Sequence, residues 1–192
     1  MSILPYPTHY ASERTREFMS RIPPLNLLRM ESHAEGIVEA IARLSDGVLN
    51  RSEAPENLRL CAFLRLCEVV DSPYELAQLT KVAQAFGLSE AKIDAARRGD
   101  SELSTEEAMA TRLAEELAVS PRARRSTIDA LRRFLGPREL CELIIGIGFY
   151  LMQSRVIETL EIELEDPPVA LGRVPESAAV EGWRNGTLPP AR

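Results

Sequence analysis

The stretch DSPYELAQL, residues 71–79, brings a serine and a carboxylate together at the start of a predicted helix. Ser72 and Glu75 fit a capping box with proline at the first helical position. In that arrangement the Ser72 hydroxyl accepts from the Glu75 amide, and the Glu75 carboxylate accepts from the Ser72 amide. A carboxylate at a helix N-terminus also stays ionised and could act as a general base. A helix cap and a general acid or base are therefore both open interpretations of Glu75.

Other polar side chains could line a binding site with Glu75. Tyr74 and Gln78 lie one turn apart, away from the apolar stripe of the same helix, so they could orient a polar substrate or simply be exposed. The longest predicted helix sets four polar residues into an apolar surround: Glu142, Tyr150, Gln153 and Arg155. The planar guanidinium of Arg155 could hold a substrate carboxylate at two points, or form an ion pair with a neighbouring helix.

The cysteines and histidines do not form a metal-binding pattern. The three cysteines, Cys61, Cys67 and Cys141, include no Cys-x-x-Cys pair, and neither histidine, His9 or His33, is close to a cysteine in the sequence. Cys61 and Cys67 are about 120° apart around a helix, so they do not share a face. Each cysteine has apolar neighbours, among which a thiol behaves as a small hydrophobe. No zinc site or other metal site is expected.

Composition narrows the class of protein. The chain has 192 residues, 45% of them hydrophobic and 27% charged, and a net charge of −6. Such a charge does not favour nucleic acid as a partner, because phosphates attract lysine and arginine. The uncharged run over residues 143–154 is shorter than the roughly 20 residues that cross a bilayer. The first residues show no signal-peptide pattern, so we expect a cytoplasmic protein, and the scarcity of lysine beside arginine and alanine suggests a bacterial source.

The periodicity of apolar residues is helical nearly throughout, which predicts an all-α fold. The predicted helices cover residues 12–19, 34–49, 55–70, 73–86, 89–98, 104–119, 126–135 and 137–164. The helix at 55–70 is apolar all round and should be buried. The helix at 34–49 should bury one face, formed by Ile37, Ile41, Leu44 and Val48. In the last helix, Gly146 and Gly148 should allow a neighbouring helix to approach closely.

Three regions are predicted along the chain. Residues 1–24 form a proline-rich N-terminal arm, and residues 25–165 form a helical domain. Residues 166–192 contain five of the thirteen prolines, so they should form an extended tail rather than a long helix.

The order of these signals resembles the carboxymuconolactone decarboxylase and alkylhydroperoxidase D (AhpD) superfamily. The matching pieces include RIPPLNLLRMESH (21–33), LSTEEAMATRLAEEL (103–117) and two longer stretches at 55–99 and 136–166. The resemblance implies an AhpD-like helical bundle that assembles as trimers or hexamers, with sites near subunit contacts. It also implies the residues of the redox branch, which are Glu, Cys, Cys and His at four positions occupied here by Leu60, Ser72, Glu75 and Leu79.

These four replacements remove the redox chemistry of that motif. A thiolate must attack the peroxide, and serine has no comparable acidity. Leu60 and Leu79 cannot carry a proton, so peroxidase activity through this motif is not expected. The resemblance to the decarboxylase branch implies a glutamate and a histidine at the positions that match 75 and 79. This chain keeps the glutamate, Glu75, and has Leu79 in place of the histidine.

Three further residues take a possible role from the resemblance. Arg155 resembles an arginine that recurs in the family's last helix, and His33 falls where an RM-x-x-H loop recurs, although a structural role also explains it. Glu142 could replace the missing relay acid.

Two functions remain open from the sequence. One is a redox-inactive, cofactor-free enzyme, of lyase or isomerase type, that acts on a small organic acid or lactone. Glu75 would be the acid or base, with Tyr74, Gln78, Tyr150, Arg155 and His33 as binding residues. The other is a non-catalytic helical module that kept the scaffold and lost the site. Either would be a homo-oligomer, whether dimer, trimer or hexamer.

Overall fold

The computed structural model describes residues 2–166. Within that range the chain forms α-helices and no strand, so the predicted all-α fold is confirmed. The helices are α1 (Glu13–Met19), α2 (Asn26–Glu31), α3 (Val38–Asn50), α4 (Glu56–Val69), α5 (Pro73–Ala85), α6 (Glu90–Arg98), α7 (Thr105–Val119), α8 (Arg125–Leu131) and α9 (Pro137–Leu160). The predicted tail lies outside the described residues, except for Asp166.

Helix α4 lies at the centre of the bundle. Its apolar side chains run all round the helix, and α5, α6, α7 and α9 pack against it. Nine of its fourteen residues are buried. Full burial of a side chain such as Phe63 or Leu64 contributes about 1.5–3 kcal/mol. The predicted burial of this helix is therefore confirmed, and α4 is the support on which the other helices are placed.

Helix α9 approaches α4 closely at a glycine. A Cβ added to Gly146 would lie 2.6 Å from the Phe63 ring, so the predicted close approach is confirmed there. The same prediction is wrong for Gly148, which has no neighbouring atom within 4 Å of an added Cβ. Gly148 is exposed because it lies on the side of α9 that faces away from α4.

Several helix ends follow their sequence signals. Ser104 and Glu107 form the predicted capping box at the start of α7, with hydrogen bonds of 3.2 Å and 2.9 Å between side chain and backbone. Gly99 ends α6 with a left-handed φ of 66°, and Gly87 follows α5 with a φ of 92°. These are conformations that glycine adopts at little steric cost.

The start and the buried face of α3 differ from the prediction. The helix begins at Val38 rather than near Ala34, because residues 33–36 form turns. Val38, Ala42 and Val48 are its buried residues, whereas Ile37 is 56% exposed and Leu44 is 42% exposed. Ile37 lies before the helix, and within it the buried side runs through Val38, Ala42 and Val48 with Ile41 partly buried, which leaves Leu44 exposed.

The end of α9 also differs from the prediction. The helix stops at Leu160 instead of near Leu164, and Glu161 turns the chain through a left-handed conformation with a φ of 52°. Residues 162–166, which we call the C-terminal strap, then run back over α2. Ile162 is buried there, and the Glu163 carbonyl accepts a 3.0 Å hydrogen bond from the Asn26 side chain.

Among the described residues, α9 is also the one helix that is long and apolar enough to cross a membrane. Half of its most apolar window is buried inside the bundle. Central helices of water-soluble bundles have the same composition. The packing of α9 against α4 accounts for the apolar residues on its buried side.

Candidate functional site

A cavity of about 230 Å³ opens beside α5 and α9, and most of its wall is apolar. Buried residues of α5 and α9 line it, among them Tyr74, Glu75, Gln78, Leu79, Phe149, Tyr150 and Gln153. The remaining wall is formed by the segment before α2, by α2 itself and by α3, with side chains such as Ile22, Leu25, Leu28, Ile41 and Leu49. The structure therefore brings four residues predicted from sequence, Tyr74, Glu75, Gln78 and Tyr150, to one cavity.

Glu75 does not form the predicted capping box. The amide of Ser72 donates to the Cys67 carbonyl of α4 at 3.0 Å, so it is not available to the Glu75 carboxylate. The Ser72 hydroxyl donates to Glu158 at 2.8 Å and makes no cap hydrogen bond to α5. Glu75 points inward instead, is only 4% exposed, and accepts from the Cys67 thiol at 3.5 Å.

The environment of Glu75 favours its protonated form. Burial raises the pKa of this carboxyl well above its ordinary value, the hydrogen bond from Cys67 opposes that shift, and the charges of Glu31 and Glu158 raise the pKa further. Burial therefore works against the ionised form that was expected for a carboxylate at a helix N-terminus. Loss of hydration outweighs the favourable end of the helix dipole.

Glu31 was missed by sequence reasoning, and Gln153 was noticed there without being given a role. Glu31 is 7% exposed and Gln153 is 3% exposed. Burial raises the pKa of Glu31 to about 7, although the neighbouring Gln153 amide lowers it somewhat. Spacing along α2 could have identified Glu31, because Leu27, Met30 and Glu31 lie at intervals that put them on one helix face.

Tyr74 and Gln78 line the cavity, but their polar groups bind the C-terminal strap. The Tyr74 hydroxyl donates to Glu165 at 2.6 Å, and the Gln78 amide donates to the other oxygen of the same carboxylate. The backbone N–H of Asn26, at the start of α2, is a third donor to Glu165, at 2.7 Å. Burial and the Glu165 hydrogen bond both raise the pKa of Tyr74. Tyr74 and Gln78 thus connect α5 to the strap.

Tyr150 lies deep in the same region. Its ring centroid is 4.6 Å from that of Phe63 and 5.3 Å from that of Phe149. Burial raises the pKa of Tyr150, and the charge of Glu75 raises it further. Tyr150 is therefore a neutral hydroxyl in the cavity wall, able to donate a hydrogen bond to a ligand.

The structure places three predicted residues outside the cavity. Arg155 is exposed on α9 and is not among the lining residues, so the expected grip on a substrate carboxylate is absent from this cavity. His33 is exposed, with Nε2 2.8 Å from the Pro5 carbonyl oxygen. It lies in the turns between α2 and α3 rather than at a helix start.

Glu142 is the third of these residues. It accepts hydrogen bonds from Ser52, Glu53 and Ala54 and from the Arg138 guanidinium. Partial burial would raise the pKa of Glu142, but these donors together lower it. Glu142 therefore holds the loop before α4 and does not serve as a relay acid near Glu75.

The two leucines at the redox-motif positions, and two of the three cysteines, lie in the core. Leu60 is buried in α4, and Leu79 is buried in the cavity wall. Cys61 and Cys67 are fully buried, and burial raises the pKa of Cys61 to about 12. Cys141 is exposed on α9. No cluster of three or more potential metal ligands occurs among residues 2–166.

Comparison with known proteins identifies the fold. No protein-family model matches the chain. No curated protein matches its sequence. A peroxidase-related protein with an alkylhydroperoxidase AhpD core, from Ralstonia eutropha JMP134, superposes with a TM-score of 0.72 at 14% identity, covering 91% of this chain and 98% of that chain. A peroxidase-related protein from Silicibacter sp. TM1040 also gives 0.72, at 13% identity, with 84% of this chain and 91% of that chain covered.

A third solved structure is a variant of the debrominase Bmp8 in complex with 2,3,4-tribromopyrrole. It superposes with a TM-score of 0.70 at 14% identity, covering 97% of this chain and 99% of that chain. At these identities the likeness concerns the fold. The chain has the AhpD-like helical fold that the sequence resemblance implied.

Proposed function

We propose that this protein catalyses proton transfer on a small, uncharged organic molecule such as a lactone, with Glu75 as the acid–base residue and without thiol redox chemistry or a cofactor. One observation carries the proposal: a carboxyl group that is 4% exposed forms part of the wall of a largely apolar cavity. Burial favours the protonated form of such a carboxyl, and that form can give its proton to a carbonyl oxygen. Decarboxylation, isomerisation and hydrolysis all depend on moving a proton next to a carbonyl.

The charges around the cavity favour an uncharged substrate over an organic acid. Arg21 is the one basic residue among those that line the cavity, and it is already paired with Glu17. A substrate carboxylate bound beside Glu75 would find no cation to neutralise it. A lactone carbonyl instead could accept hydrogen bonds from protonated Glu75 and from the Tyr150 hydroxyl. The cavity volume is below the roughly 300–1,000 Å³ typical of sites for drug-sized ligands, which suits a small ring.

The state of the cysteines supports the absence of redox chemistry. Cys67, the cysteine that contacts Glu75, is fully buried, and burial and the Glu75 charge raise its pKa. Only the thiolate attacks peroxides, so a buried thiol next to an acidic group reacts poorly.

A non-catalytic helical module is the second candidate. Leu60 and Leu79 favour it, because hydrocarbon stands where the family's redox branch carries its relay. Apolar residues exposed on α9 also favour it, since they offer a surface for assembly.

Deuterium exchange next to a carbonyl provides a test that needs no knowledge of the natural product. A panel of lactones and small cyclic ketones is incubated with the protein in D₂O, and loss of the α-proton signal or of the compound is followed by ¹H NMR. We expect acceleration for at least one compound. The Glu75→Gln variant should lower the rate by about 10²–10⁴-fold, the usual contribution of a general acid or base.

The matched control is Glu90→Gln, an exposed glutamate in the first turn of α6. It should retain the full rate, and both variants should melt close to the wild-type temperature. Full activity of Glu75→Gln would refute the proposed role of Glu75, and failure of the wild type on the whole panel would favour the non-catalytic module.

A further inference from the structure

Helices α2 and α9 bury two polar side chains that lack hydrogen-bond partners. Both carboxyl oxygens of Glu31 and the Oε1 atom of Gln153 are buried, and none has a partner in the described part of the chain. Buried polar atoms in native proteins rarely remain without a partner. Three such atoms in neighbouring side chains therefore indicate that a proton or a ligand completes the arrangement.

Gln153 connects Glu31 to the cavity. Its amide lies against the Glu31 carboxyl without completing a hydrogen bond of ordinary geometry, and it lowers the pKa of that carboxyl. The same residue is part of the cavity wall. One end of the amide can therefore serve Glu31 while the other end serves a ligand.

The two ends of an amide have opposite hydrogen-bonding properties. An ionised carboxylate only accepts, so ionised Glu31 attracts the Nε2 group of Gln153 and leaves Oε1 for the cavity. A protonated carboxyl can donate, so protonated Glu31 can bind Oε1 and leave the Nε2 group for the cavity. Rotation by half a turn about the last side-chain bond of Gln153 interconverts the two arrangements.

We propose that Glu31 is a positioning residue that sets which end of the Gln153 amide faces the cavity. The cavity then prefers a ligand with a hydrogen-bond donor beside its carbonyl when Glu31 is ionised, and a ligand with a carbonyl alone when Glu31 is protonated. A lactam ring represents the first class, and a cyclic ketone or lactone represents the second. This inference deepens the proposed function because it specifies the substrate class of the same cavity.

The groups around Glu31 do not fix its protonation state, so that state can decide which end of the Gln153 amide faces the cavity. The acids nearby are Glu75 and the Tyr74 hydroxyl on α5, Glu158 on α9, Glu165 in the strap and the Cys67 thiol on α4. The basic residues of α5 and of the second half of α9 are Lys81, which donates to Gln78, and the exposed Arg155. On α3, Glu39 is paired with Arg43, and Asp46 is paired with Arg51. Within residues 2–166 no basic side chain is bonded to Glu31, so none holds it in the ionised form.

Side-chain NMR of the intact protein tests the coupling without a ligand. The Glu31 carboxyl carbon and the Gln153 amide are followed between about pH 5 and about pH 9, a range that spans the expected change of protonation. We expect both signals to change with one shared midpoint, and the Gln153 change to vanish in Glu31→Gln. The exposed control Glu90→Gln should leave both transitions intact.

Two outcomes of that titration would overturn the coupling. One is a Gln153 amide that stays constant while Glu31 titrates, and the other is a Gln153 transition that persists in Glu31→Gln. If Glu31→Gln fails to fold, the wild-type titration decides alone. The Gln153 transition should survive in Glu75→Gln, so its loss there would assign it to Glu75 instead.

Ligand preference tests the consequence for the cavity. 2-Piperidone and cyclohexanone are six-membered rings of similar size, and only the lactam carries an N–H beside its carbonyl. Between acidic and alkaline pH, the ratio of their affinities should shift toward the lactam by about tenfold, which corresponds to one hydrogen bond. In Glu31→Gln the ratio should not change with pH. A ratio independent of pH, or binding of neither ring, would refute the role of Gln153 in this cavity.

Failure of this inference and failure of the proposed function are distinguishable. Loss of proton transfer in Glu75→Gln with a pH-independent affinity ratio would keep the proposed function and reject the role of Glu31. A pH-dependent affinity ratio in a protein that catalyses no proton transfer would keep the role of Glu31 and reject the proposed function.

Discussion

A glutamate in the first turn of an exposed helix ionises well below neutral pH, and Glu75 differs because neighbouring helices cover it. Its only hydrogen-bond donor in the described structure is the Cys67 thiol, a weak one. The sequence singled out Glu75 from the helix-start pattern Ser72-Pro73-Tyr74-Glu75 and from the family resemblance. The sequence could not predict its protonation, because burial depends on α2 and α9, which are distant in the chain.

Glu31 should make the stability of the protein depend on pH in a defined direction. Its folded pKa is about 7, against an ordinary value of 4.5, so the folded state holds this proton more tightly than the unfolded state. The stabilisation is complete below the ordinary pKa and is lost as pH rises to the folded pKa. The loss amounts to about 3 kcal/mol at 1.36 kcal/mol per pKa unit.

Urea unfolding of wild type and Glu31→Gln at mildly acidic and mildly alkaline pH measures this effect. The variant cannot lose a proton at this site, so we expect it to gain stability relative to wild type at alkaline pH, by up to about 3 kcal/mol. Comparing the two proteins at each pH cancels the contributions of other carboxylates, such as Glu142, whose pKa is lowered. A constant difference across pH would show that Glu31 is ionised in both states.

At the scale of single elements, the sequence predicted what depends on local signals. The capping box of α7 and the glycine end of α6 were correct because the residues that form them are neighbours in the chain. The capping box of α5 was wrong because α4 supplies a carbonyl that takes the Ser72 amide. Local chemistry favoured a cap at Ser72, and the tertiary contact with α4 replaced it.

The contact between α4 and α9 gives a matched pair of glycine substitutions. Gly146→Ala forces a Cβ against the Phe63 ring, so we expect a loss of about 1–3 kcal/mol in the free energy of unfolding. Gly148→Ala meets open space in the same helix, so we expect a gain of about 0.5–1 kcal/mol from helix propensity. Equal effects of the two substitutions in thermal or urea unfolding would contradict the close approach at Gly146.

The C-terminal strap was not predicted, because it depends on one carboxylate that finds three donors on two helices. Glu165→Gln should weaken the contacts with Tyr74, Gln78 and the Asn26 amide, each of which donates to a charged acceptor. We expect a loss of about 1–3 kcal/mol and faster hydrogen exchange in α2. Asp166→Asn, next to it and exposed, should have little effect. Unchanged exchange in Glu165→Gln would show that the apolar contacts of Ile162 hold the strap without the carboxylate.

At the scale of the molecule, the sequence predicted the fold better than the site. Helical periodicity was sufficient for the all-α bundle and for the buried α4, because every turn of a helix repeats the same signal. The cavity, by contrast, is assembled from side chains before α2 and on α2, α3, α5 and α9. Tyr74, Glu75, Gln78 and Tyr150 were found because they are polar residues on apolar helices. Arg155 has the same appearance in the sequence but points to the outside.

The outer side of α9 is the basis for the last prediction, that the protein is a homo-oligomer. Ile145 is 48% exposed and Met152 is 41% exposed, and the exposed Cys141 and Gly148 continue the same stripe at spacings of three and four residues. A stripe with this spacing fits a partner helix. Ile145→Glu combined with Met152→Glu should reduce the mass seen in analytical ultracentrifugation to that of one chain while the helical CD spectrum stays unchanged.

Val119→Glu, at an 80% exposed position on α7, is the control for adding charge in place of an exposed apolar residue and should not dissociate the assembly. If the double variant keeps the wild-type mass, or if the wild type is already a monomer, this side of α9 is not the contact between copies.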